Sequence, residues 1–186
     1  RAMAATAVVS GRAMTVASWH APHAAGRSVL EKRLRREQKM RAYRAMEAWI
    51  VQQRGPLVLG GDMNTWQDDR DGNVLGPEHP HYDEYRFHRV GAAHGLVDAD
   101  RMDRARRAAE GDGGDGNRGD ADGAEQTMAV TYDRGHGGRS IPCRMDRIYV
   151  SKDVVVRRVE HRSLGEAREA GSDHAVVRAE CAVGDR

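Results

Sequence analysis

An α/β layered domain is the fold class this sequence predicts, and three observations carry it. Two short β-rich runs open the chain, a long stretch with helical spacing of apolar residues follows, and strand patterning separated by turns fills the tail. No internal repeat is visible, and 186 residues suit a single domain able to bury a core.

Residues 4–9 and 13–19, joined by a tight turn around Gly11 and Arg12, read as a hairpin that ends in Trp19-His20-Ala21-Pro22-His23. Ser28, with Glu31 three residues later, is a capping-box signature. Leu30, Leu34, Tyr43, Met46 and Ile50 then recur at near-helical spacing until Gly55-Pro56, which predicts a surface helix over about residues 29–54. The basic residues from Lys32 to Arg44 read as its solvated face.

Leu57-Val58-Leu59-Gly60-Gly61 is a continuous apolar run expected to be a buried strand, and it delivers Asp62-Met63-Asn64 at its C-terminal end. Residues 67–84 are turn-rich, and Tyr85 to His94 predicts one short helix ended by Gly95. From Asp103 to Glu125 the composition turns to Gly, Asp, Arg and Ala without apolar periodicity, which predicts a mobile surface insertion. Strand patterning returns at Met128–Tyr132, Met145–Ser151, Val154–Arg162 and Ala175–Val183.

Composition narrows the function classes. Thirty Lys and Arg against 28 Asp and Glu give a net charge of +2, so any polyanion site must be local. Nothing approaches the ~20 consecutive apolar residues of a membrane span, and the chain is expected to be soluble and foremost cytoplasmic, with secretion left open. Cys143 and Cys181 match no zinc or redox spacing and read as free thiols.

The polar groups that need explaining gather at predicted strand ends: His20 and His23, Asp62 and Asn64, Asp146, and Asp173 with His174. Several carboxylates, an amide and histidines together suit the attack of water on a phosphate ester, where a hard cation must be held and anionic oxygens balanced. An amide can donate to a phosphoryl oxygen without adding charge, and a carboxylate-held His can stabilise or protonate one. Singly, Asp62-Met63-Asn64 and Ser172-Asp173-His174 also read as turns. Asp146, inside an apolar strand, must be paired or near solvent.

Three motifs in this order resemble the endonuclease/exonuclease/phosphatase superfamily, the group of deoxyribonuclease I, exonuclease III, apurinic endonucleases and inositol-polyphosphate phosphatases. Gly61-Asp62-Met63-Asn64 is similar to its Gly-Asp-x-Asn, Arg144-Met145-Asp146-Arg147-Ile148 to its Arg-x-Asp-x-Ile, and Ser172-Asp173-His174 to its terminal Ser-Asp-His. Thr131-Tyr132 and His20-Ala21-Pro22 fit the same pattern. The resemblance implies a two-sheet β-sandwich flanked by helices, of the deoxyribonuclease I kind, and a hydrolase dependent on Mg2+ or Mn2+.

It further implies that Asp62 orients or activates the attacking water and helps hold the metal, while Asn64 contacts the scissile phosphate. Asp146 would orient His174, which contacts the phosphate or moves a proton. Asp173 would bind the metal, His20 would face the phosphate, and His23 would add a further substrate contact. The expected substrate is a phosphodiester, foremost nucleic acid, with inositol phosphate or phospholipid as the alternative and a non-catalytic binding module as the second.

The family's metal-binding Glu and an earlier Asn have no counterpart here, since no Glu precedes Glu31. Residues 1–186 are therefore expected to form a single partial domain that lacks its N-terminal half and exposes one apolar face of the remaining sheet. A calcium-binding EF-hand loop is excluded because Trp66 and Gln67 stand where an oxygen ligand and Gly are needed. Gly113-Gly114-Asp115-Gly116 is a single imperfect copy of a calcium nonapeptide, and no Gly-x-Ser-x-Gly elbow supports a serine hydrolase.

Overall fold

The computed structural model describes residues 1–65, 74–111, 132–136 and 139–184, with backbone alone at 132–136 and 139–143. Strands β1 (Ala2–Val9) and β2 (Arg12–Trp19) pair antiparallel in unbroken register. Their two-residue turn is Ser10-Gly11, at φ 51° and 77°, the geometry whose twist matches a right-handed hairpin. The turn lies one residue earlier than the pattern suggested, because Arg12 already pairs with Val9.

Helix α1 (Val29–Gln52) starts where Ser28 accepts the Glu31 N–H at 3.1 Å, while the Glu31 carboxylate accepts the Arg27 N–H at 2.7 Å. The crossover through α1 lays β3 (Leu57–Asp62) parallel to β2. β7 (Asp146–Val150) pairs antiparallel with β3, and β4 (Val97–Asp98) closes the other edge. The result is a five-stranded sheet of order β1-β2-β3-β7-β4.

α1 covers one face of this sheet. Trp19, Leu57, Leu59 and Tyr149 meet Tyr43, Met46 and Ile50 of the helix, with Phe87 wedged beside them. Ring centroids 4.9 to 5.6 Å apart make Trp19, Tyr43 and Phe87 an edge-on and tilted aromatic cluster. Leu30 and Leu34, expected on the apolar stripe, are exposed because the buried stripe of α1 begins only at Lys39, which was expected in solvent and is 3% exposed.

On the opposite face Val150 packs with Ala99 and with Val154, Val156 and Val159 of β8 (Val154–His161), which pairs with β9 (Val177–Val183). Val58, Ile148 and Met14 join this second core only partly buried. The apolar face expected to lie open is thus covered behind β3 and β7, and exposed Met3 and Val16 mark where it opens, on β1 and β2.

Three helices depart from the sequence expectation. α2 spans Tyr82–His88 rather than 85–94, since Arg89 takes an extended conformation and Gly91 a positive φ of 70°. α3 (Ala99–Glu110) runs into the expected insertion, and it orders because Asp103 is buried between Arg106 at 2.9 Å and Arg107 at 2.7 Å. Asp98 caps its start and Gly111, at φ 70°, its end. α4 (Leu164–Glu169), a helix the sequence pattern does not predict, is opened by a Ser163–Glu166 capping box.

Residues 112–125 of that insertion and 128–131 of the next predicted strand lie outside the described residues. β5 (Tyr132–His136) and β6 (Arg139–Cys143) form a separate hairpin. Cys181 is a free thiol, and the Cys143 side chain is outside the description. No described helix is long and apolar enough to cross a membrane.

Candidate active site

The antiparallel register between β3 and β7 sets Asp62 directly opposite Asp146. Residues facing each other across a ladder share a face of the sheet, so the register alone brings the two carboxylates together. They lie on the face shared with Val58, Ile148 and β8, at the end where β3 leaves the sheet. His174, just before β9, completes a group in which one ligand atom from each of Asp62, Asp146 and His174 lies within 4.8 Å of the others. All three are partly buried, accessible yet shielded enough to sharpen their mutual fields.

Gly61 makes this end possible. It adopts φ 145°, and a Cβ there would stand 2.0 Å from the Trp19 carbonyl oxygen. β2 and β3 therefore approach closely enough for Ala21 N–H to donate to the Asp62 carbonyl at 2.9 Å. Asn64 follows in a left-handed conformation, φ 50°, which Asn tolerates better than most residues. Its N–H donates to Asp62 Oδ1 at 2.7 Å and its side-chain amide to the Ala21 carbonyl at 2.8 Å.

His174 Nδ1 lies 2.8 Å from Asp146 Oδ2. Burial acts to lower the His174 pKa, but the hydrogen bond and charge of Asp146, with the charges of Asp62 and Asp173, outweigh it and raise it above the ordinary value. A proton on Nδ1 facing Asp146 leaves Nε2 to meet another group. Ser172 braces the loop, donating to the His174 carbonyl at 2.9 Å and accepting its N–H at 3.1 Å.

His20 is exposed, with Nε2 3.6 Å from Asp62 Oδ2, so it borders the group from the solvent side. His23 is exposed further along the same loop. Asp173 is exposed and stands outside the Asp62–Asp146–His174 group, reaching His174 through its charge. The structure thus gathers Asp62, Asn64, Asp146, His174 and His20, and leaves His23 and Asp173 at the margin.

The donor set fits a hard divalent cation. Mg2+ commonly takes one or two carboxylates and completes six positions with water and substrate phosphate, and Asp62 and Asp146 offer that pair of oxygens. Two nitrogen-rich or sulfur ligands would instead have pointed to a softer metal.

Sequence reading missed what lies beneath the loop. Lys39 Nζ donates to the Asn64 carbonyl at 2.7 Å and to Glu84 Oε2 at 2.8 Å. One turn along α1, the Tyr43 hydroxyl donates to the Met63 carbonyl at 2.6 Å. Because its only proton is spent there, Tyr43 accepts from His88 Nε2 at 3.0 Å, which leaves His88 Nδ1 to accept from the Tyr149 hydroxyl. Burial lowers the His88 pKa well below its ordinary value and raises that of Tyr149 to about 12, so this chain is neutral. The signal was present: Lys39, Tyr43, Met46 and Ile50 share one helical stripe.

The family model described as Endonuclease/Exonuclease/phosphatase family matches residues 6–174. No curated protein sequence matches the chain. Among solved structures, D. rerio TDP2, humanized by 14 mutations, is similar at 14% identity and TM-score 0.59, over 98% of this chain and 60% of that one. The Xenopus laevis APE2 catalytic domain aligns at 16% identity and TM-score 0.59, over 100% of this chain and 56% of that one. The 3'-5' exonuclease NExo from Neisseria meningitidis aligns at 22% identity and TM-score 0.58, over 95% and 64%. At these identities the likeness is one of fold, and this chain spans about three fifths of each neighbour's length.

Proposed function

The chain belongs to the endonuclease/exonuclease/phosphatase family, and on that premise we propose that it hydrolyses a phosphodiester, foremost of nucleic acid, by metal-assisted attack of water on phosphorus. The observation that carries this reading is the convergence of Asp62, Asp146 and His174 within 4.8 Å at strand ends, with the Asn64 N–H bonded to Asp62 Oδ1. Asp62 and Asp146 would hold Mg2+ or Mn2+, with Asp173 contributing from the exposed side. Such a cation supplies a polarised phosphoryl oxygen and charge balance for the transition state.

The chain's own groups do the rest. Asp62 accepts from the Asn64 N–H through Oδ1, which leaves Oδ2 to orient a water. Asn64 and His20 present donors to phosphate oxygens from two loops, and His23 would extend that contact along the substrate. Asp146 fixes the His174 tautomer, so that Nε2 faces the phosphate, and keeps the ring protonated to higher pH. Nucleic acid is favoured over inositol phosphate or phospholipid by the similar folds of NExo and D. rerio TDP2, the latter complexed with a single-strand DNA product. A panel of end-labelled DNA and RNA oligonucleotides, an inositol polyphosphate and a phospholipid, assayed with Mg2+ and with Mn2+, separates these substrates. Turnover of an oligonucleotide that Asn64→Ala removes supports the proposal, and turnover of the inositol polyphosphate or lipid alone overturns its substrate.

A further inference from the structure

Lys39 is the buried cation of α1. Its side chain is 4% exposed and that of its partner Glu84 on α2 1%, which is costly unless every hydrogen-bonding position is used. Lys39 divides its protons between the Asn64 carbonyl and Glu84. Glu84 also accepts from the Thr65 hydroxyl and faces His81 Nδ1 at 3.0 Å, and burial notwithstanding these donors keep it ionised. The residues spaced four apart on α1, Lys39 and Tyr43, meet those spaced four apart on α2, Glu84 and His88. Together they hold the carbonyls of Met63 and Asn64 and the side chain of Thr65.

A buried ion pair is weak evidence of a stability device, since an apolar pair of like volume often serves as well. This one ends on the carbonyl of a left-handed residue whose N–H donates to Asp62 and whose side-chain amide donates to the Ala21 carbonyl, next to His20. We propose that Lys39 and Glu84 are positioning residues, which fix the Asn64 peptide and through it aim the Asn64 amide and the Asp62 carboxylate at the phosphate. The inference rests on the phosphodiesterase reading for its kinetic part and on geometry alone for its structural part.

The test pairs Lys39→Met with Lys39→Met/Glu84→Gln in the full chain. The single change strands a buried carboxylate, while the double change removes both charges and keeps an oxygen for Thr65 and His81. If the pair only stabilises, the double variant regains stability and turnover together. If it positions, stability returns while kcat stays down about tenfold or more with KM little changed, the mark of a group misplaced in the transition state. Amide hydrogen exchange at Asn64, read by NMR without metal or substrate, gives an independent result: about tenfold faster exchange is expected in the double variant. Unchanged Asn64 exchange overturns the proposal even if the chain proves inactive, whereas faster exchange in the double variant with an inactive wild type overturns the phosphodiesterase reading alone. Should both Lys39 variants fail to fold, Glu84→Gln, which leaves Lys39 in place, must still speed Asn64 exchange, and no change there sinks the idea.

Discussion

The two loops that build the site are held in different ways. The loop after β3 is fixed from beneath by Lys39 and Tyr43, from the side by Ala21, and from behind by the contact of Gly61 with Trp19. The loop before β9 is exposed at Gly171, Ser172 and Asp173 and is tied down by its own Ser172 turn and by the Asp146–His174 hydrogen bond. One half of the site is pre-organised by buried packing and by buried hydrogen bonds. The other half depends on a charge-assisted bond between partly exposed groups, and its geometry therefore follows pH.

That contrast can be broken first at Gly61. Gly61→Ala sets a Cβ 2.0 Å from the Trp19 carbonyl oxygen in a backbone conformation L residues avoid, so β2 and β3 must part. A loss on the order of 4 kcal/mol or more in denaturant unfolding is expected, and less than about 1 kcal/mol would mean that this loop is not packed as described.

Truncating the groups that face the phosphate ranks next. Asn64→Ala and His174→Ala should each raise the barrier by roughly 3 kcal/mol, the scale of a lost transition-state donor. Their stabilities should diverge, with Asn64→Ala lowering the unfolding midpoint more than His174→Ala, which loses a hydrogen bond between partly exposed groups. Equal destabilisation would erase the distinction between the loops.

The smallest effect is on pH. Because the folded pKa of His174 is raised, the Asp146 bond contributes stability that is fully present below the unfolded value of about 6.5 and is lost as pH rises through the folded value. Asp146→Asn should lower the His174 pKa in an NMR titration of the metal-free protein and abolish the loss of stability as pH rises through the wild-type folded value. A His174 titration unmoved by the substitution would show that the bond does not set its charge.

The sequence was most informative where structure is set by neighbours in the chain. Alternation gave β7 and β8 within a residue of their observed starts, and Ser28 marked the first turn of α1. Each of the three motifs is contiguous, so its chemistry is legible in the sequence without the fold that brings them together. What escaped was non-local. Lys39 looked like one more cation on a basic helix, because its burial depends on Glu84, 45 residues away. α3 was hidden by a composition that suits disorder, and it orders through pairs such as Asp103 with Arg107 and a cap from Asp98. Leu30 and Leu34 had the right spacing but lie exposed on the first turns of α1.

The most direct measurement is phosphodiester turnover by the purified chain in Mg2+ or Mn2+, repeated in excess chelator, and again with Asp62→Asn. The account predicts turnover that chelator abolishes, that restored cation recovers, and that Asp62→Asn lowers by about a hundredfold or more at every cation concentration, on the scale of a lost catalytic contact. Turnover undiminished by chelator, or unaffected by Asp62→Asn, would contradict it.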